Sequence, residues 1–98
     1  MKMMVKDLEL LLLKIIDKLR QEGHHVIDLG DFDLYWNVSA PEWTDMSRTP
    51  ELSVGSIRDD LESLKELSNP DHVTAYVDFD RLATVLHLIS ERLNPGKI

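Results

Sequence analysis

The apolar positions of the first two dozen residues recur at intervals of three and four. Met4, Val5, Leu8, Leu11, Leu12, Ile15, Ile16 and Leu19 make one broad stripe, and that period predicts a helix over 3–22. Gly23 stands where a left-handed residue commonly ends a helix, and Arg20 sits in the last turn, where a cation suits the dipole. Leu10 and Leu13 fall outside the stripe. The helix therefore carries more apolar surface than one neighbour needs.

After Gly23 the period changes to two. Residues 24–38, "HHVIDLGDFDLYWNV", predict a β-hairpin turning at Gly30-Asp31. That register pairs Leu29 with Phe32, Ile27 with Leu34, and His25 with Trp36. It gathers Ile27, Leu29, Phe32, Leu34, Trp36 and Val38 on one face, expected to be the core face. The other face takes His24, Val26, Asp28, Asp31, Asp33, Tyr35 and Asn37, and a slip by one residue would destroy the separation. Ala40-Pro41 ends the ladder.

Residues 39–54 show no period and read as a long loop, a feature of functional or mobile segments. Leu52–Val54 is a candidate edge strand. A short middle helix is expected over 57–67, capped by Ser56, with Asp59 and Asp60 in its first turn. "HVTAYV", 72–77, alternates as a third strand would. The last helix is expected over 79–93, capped by Asp78 and stopped by Asn94-Pro95-Gly96. In it Phe79, Leu82, Leu86, Ile89 and Leu93 step by three and four like a heptad seam, with Val85 and Leu88 as a second apolar pair beside it.

These elements predict a small α+β fold and one domain over 1–98. An antiparallel sheet centred on the 24–38 hairpin packs against the N- and C-terminal helices, and the short middle helix closes one end. A length of 98 residues suits one core rather than two. The surplus apolar positions Leu10, Leu13, Val85 and Leu88 lead us to expect a homodimer.

Charge changes the picture more than composition does. The total is −7, but residues 1–23 hold five bases and four acids, and residues 24–66 three bases and ten acids. The acidic excess thus surrounds the aromatic stretch 31–46. A negative field repels phosphate backbones and attracts cationic partners, so nucleic acid is not an expected ligand. The chain has no cysteine, which removes disulfides and thiolate metal sites. The N-terminal helix is too interrupted by charge for a membrane span or signal peptide. A soluble cytoplasmic protein is expected, with no membrane partner.

Candidate chemistry is sparse. His24, His25, Asp28, Asp31 and Asp33 are all metal-ligand types, but their spacing matches neither H-E-x-x-H nor a calcium loop. No nucleophile elbow and no glycine-rich phosphate loop is present. Neither a cofactor nor a metal is expected. The residues most suited to a binding surface are Tyr35, Trp43 and Met46, ringed by Asp31, Asp33, Glu42 and Asp45. Aromatics and methionine are enriched at interface centres, and an acidic rim steers a basic protein. The leading expectation is a non-catalytic acidic protein-binding module, in its most concrete form a small bacterial inhibitor or immunity-type protein. The alternatives are a small metal-dependent hydrolytic enzyme using His24 and nearby aspartates, and a purely structural homo-oligomeric subunit.

Overall fold

A computed structural model describes residues 1–38, 44–47, 49 and 51–93. The order is helix α1 (Val5–Gln21), strand β1 (Leu34–Val38), strand β2 (Leu52–Ser56), helix α2 (Ile57–Lys65), a 3₁₀ turn (Glu66–Ser68) and helix α3 (Val77–Leu93). The fold is α+β, with a two-stranded antiparallel sheet, helices at both ends and a short helix between. No helix among the described residues is long and apolar enough to cross a membrane.

Helix α1 forms as its pattern requires, and it ends as expected. Gly23 has φ +81°, its N–H donates to the Arg20 carbonyl, and the His24 N–H donates to that of Leu19. These are the two bonds of a Schellman motif. Lys18 adds an ion pair to Glu22 at 2.9 Å. The helix is nonetheless without a core, since none of its residues is buried. The expected packing of its stripe on the sheet is not observed.

The sheet departs from the expected hairpin. Strand β1 forms over the second half of it, but its partner is β2, not residues 24–29. Leu34 lies opposite Ser56, Tyr35 opposite Gly55, Trp36 opposite Val54, and Val38 opposite Leu52. Two local bonds account for the change. The Asp28 carboxylate accepts from the Gly30 N–H at 2.8 Å, so the glycine with φ +86° belongs to an Asx turn instead of a hairpin turn. Asp33 is drawn to the start of α2, where its carbonyl accepts from the Ile57 N–H at 2.7 Å. Its carboxylate accepts from the Arg58 N–H and from the Ser56 hydroxyl, at 2.7 and 2.9 Å. That anchor lays residues 34–38 alongside 52–56.

The expected core face is kept only in part: Ile27, Leu29 and Val38 are half-buried, and the rest of it is not. Leu34, Trp36, Leu52 and Val54, which share one face of the ribbon, are exposed, as is Phe32. Trp36 is 72% exposed, so the expected core role of Phe32, Leu34 and Trp36 is not what the fold gives them. Tyr35, expected on the open face, is half-buried, as is Val38.

Helices α2 and α3 pack on each other, and the small core lies there. Ile57 at 8% exposure and Val85 at 7% are its buried apolar residues. Ser56 caps α2 as expected, accepting from the Asp59 N–H at 3.2 Å. The proposed third strand is absent: Asn69 takes the Asp71 and His72 N–H groups into turns, and 73–75 run without a paired strand. Asn69-Pro70-Asp71 is turn chemistry, and no sheet edge is offered to the alternation that follows. Helix α3 starts at Val77, so Asp78 lies inside its first turn and not at the cap position. The buried Asp78 carboxylate, 5% exposed, reaches back to accept from the Ala75 N–H at 2.9 Å and pairs with Arg81 at 2.8 Å. Burial of a charge is tolerated when it is paired and hydrogen-bonded in this way.

Candidate functional site

The pairing of β1 with β2 builds the site. Gly55 lies across from Tyr35, and a methyl group at Gly55 would overlap the phenol ring. The absent side chain lets the ring lie over the neighbouring strand and extend toward the helices. The Tyr35 hydroxyl donates to the Asp60 carboxylate of α2 at 2.6 Å, while Thr84 of α3, whose hydroxyl donates to the Asp80 carbonyl at 3.1 Å, lines the same cleft as the ring. One side chain thus ties the strand to α2 and borders α3. Burial and the Asp60 carboxylate together push the phenol above its ordinary pKa, because each disfavours the phenolate.

Beside this tie lies a cleft of about 430 Å³ between β1 and α3, lined by Tyr35, Trp36, Val38, Asp80, Thr84 and His87 among others. Its walls are mostly apolar, with a carboxylate and an imidazole contributed by one helix. A second hollow of about 350 Å³ lies where residues 29–33 meet α2, and Asp31, Phe32 and Asp33 line it with Leu61, Glu62 and Lys65. Gly30 approaches the Arg92 guanidinium at the far end of α3 so closely that no side chain fits between them.

The residues expected to form a partner surface divide. Asp33 is taken up in starting α2, and the hydrogen bonds from Arg58 and Ser56 hold its carboxyl below the usual carboxylate range. Asp31 is exposed and lines the second hollow. Met46 is 93% exposed, and Asp45 accepts from the Ser47 N–H at 3.0 Å and from its hydroxyl in a local turn. Trp43 and Glu42 lie outside the described residues. What the sequence reading missed is Asp60, Asp80, Thr84 and His87, which stand 25 or more positions after Tyr35. The nearest signal was the run Tyr35, Gly55 and Asp60, legible only once β2 is known to be the partner strand.

The histidine and aspartate cluster of residues 24–33 is not gathered. His24 faces Glu22 at 3.6 Å, Asp28 holds Gly30, and Asp33 holds the start of α2. Among the described residues no three side chains of ligand type stand together around a common point. The chain matches no protein-family model, and neither a curated protein nor a solved structure similar to it was found.

Proposed function

We propose that this protein is a non-catalytic, acidic protein-binding module whose partner is a basic protein. The observation that carries the reading is the β1–α3 cleft, with exposed Trp36 and Asp80 at its lining. An apolar cleft edged by the Asp80 carboxylate suits a lysine or arginine side chain, whose stem is apolar and whose head is cationic. The acidic excess of residues 24–66 would add long-range attraction and speed encounter. The most concrete form is a bacterial, cytoplasmic inhibitor or immunity-type protein that occupies a basic site on a toxin or nuclease.

The test is capture from a lysate of the source organism at about 50 mM salt, where surface electrostatics are weakly screened. Wild type is compared with Trp36→Ala and Asp80→Lys, each shown folded by circular dichroism. A basic protein held by wild type, released by added salt and lost from both variants is the expected result. Equal capture by all three forms, or none by wild type, would remove the cleft from consideration.

A further inference from the structure

Helix α3 turns the wrong side inward for its sequence pattern. Val85, with Arg81 and Leu88, faces the interior, whereas the seam residues Phe79, Leu82 and Leu86 are exposed. These positions, continued by the half-buried Ile89 and Leu93, step by three and four over fifteen residues. Such a stripe is shaped to receive another helix. Helix α1 carries its equal: Val5, Leu8, Leu12, Ile15 and Leu19 step the same way over the same length. Each seam runs about 21 Å at 1.5 Å per residue. Most of the α1 seam is exposed as well.

We infer that α1 of one copy lies along the α3 seam of a second copy, and reciprocally, in a two-fold symmetric dimer. The area requires cover of this order. The chain exposes 8797 Å², against roughly 5,700 Å² for a compact monomer of its mass. The difference of about 3,000 Å² exceeds the roughly 800 Å² per partner that a standard interface buries. Its radius of gyration of 15.4 Å is likewise above the value near 13 Å for a compact chain of this length. Folding α1 back on its own α3 would leave Phe32, Leu34, Trp36, Leu52 and Val54 uncovered, along with Leu10 and Leu13 on the outside of α1. That is more apolar surface than a monomer ordinarily shows in one region. Charge does not oppose the contact: α1 holds four bases and three acids, and α3 two bases and three acids.

The inference stands apart from the basic partner, whose cleft lies on the Asp80–Thr84 side of α3. It is tested by light scattering at tens of micromolar on wild type, on Leu8→Glu/Ile15→Glu and on Leu82→Lys/Leu86→Lys. Wild type is expected at twice the chain mass and each variant at the chain mass. An equimolar mixture of the two variants is expected to return to twice the chain mass, since the mixed dimer sets glutamates against lysines in one contact and leaves the other native. The mixture separates this arrangement from the rivals: α1 folded on its own α3, or α1 against α1, gains nothing from mixing. A monomeric wild type, variants that remain dimeric, or a mixture that stays monomeric would each overturn the inference. Variants that fail to fold alone but become helical and dimeric on mixing would support it.

Discussion

Helices α1 and α3 have the same length, 17 residues, and comparable apolar seams, yet they are held in different ways. Among the described residues the ion pairs and capping bonds of α1 are local: an i,i+4 ion pair, an i,i+3 ion pair between Asp17 and Arg20, and the Schellman bonds at Gly23. Its N-cap residue, Met4, offers no side-chain hydrogen bond. Helix α3 has Asp78 clamped at its start, Val85 in the core and Thr84 beside Tyr35 in the cleft wall. An isolated helix of this length is marginal in water, and exposed ion pairs add little. Local signals decide that α1 is a helix. Only long-range contacts decide where a helix lies, and α3 has them.

The sharpest way to break this comparison is to place a charge on each helix. Val85→Asp would bury an unpaired carboxylate between α2 and α3, at a cost of several kcal/mol. That is a large part of a small domain's stability, and loss of the cooperative urea transition is expected. Leu10→Asp, on the exposed side of α1, should shift the transition of the dissociated chain by less than about 0.5 kcal/mol. Similar shifts in the two variants would show that α1 is as deeply anchored as α3.

A smaller effect is expected from the caps. Ser56→Ala removes the hydroxyl that accepts from Asp59 and donates to Asp33, and should lower stability by about 1 kcal/mol. Met4→Ser supplies the cap that α1 lacks. In the dissociated chain it should raise the helical signal at 222 nm and leave the midpoint of the α2–α3 transition nearly unchanged, because there it strengthens an element outside that core. An equal gain in midpoint would mean that α1 melts with the rest.

What was legible in the sequence follows the same division. The helix over Val5–Gln21, its stop at Gly23 and the Ser56 cap are local events, and their residues announce them. The strand over Leu34–Val38 was legible as a strand, but not its partner. The alternation of 24–29 fits a hairpin as well as that of 52–56 fits a distant pairing, and the deciding bonds run from Asp33 to residues 23 to 25 positions later. The site suffered the same limit. Tyr35 stood out as an aromatic among acids, but the carboxylate that holds it, Asp60, is on another element, and Gly55 has no side chain to announce that it makes room. The seam of α3 was legible too, although which side of the helix turns inward was not. Val85 reads as surplus in the pattern and is one of the most buried residues in the fold.

The smallest effect bears on the same comparison through pH. Asp33 and Asp78 each start a helix of the α2–α3 unit, and hydrogen bonds to backbone N–H groups are the main reason both carboxyls lie below their ordinary range. A carboxyl whose pKa is lowered by folding contributes fully while it is ionised in both states. Its contribution begins to fall near pH 4, where the unfolded chain takes up protons, and is gone once pH drops through the lowered folded value. Urea midpoints should therefore be flat from pH 7 to about 5 and decline below 4. In Asp33→Asn/Asp78→Asn the midpoint at pH 7 should be lower, and the decline below pH 4 shallower. Glu22 is also lowered, by Lys18, but that pair is open to solvent, and removing it with Glu22→Gln should leave the acid limb as steep as in wild type. An acid limb that flattened in Glu22→Gln and not in the double variant would place the pH-sensitive stability in α1, and the contrast between the two helices would have to be drawn the other way.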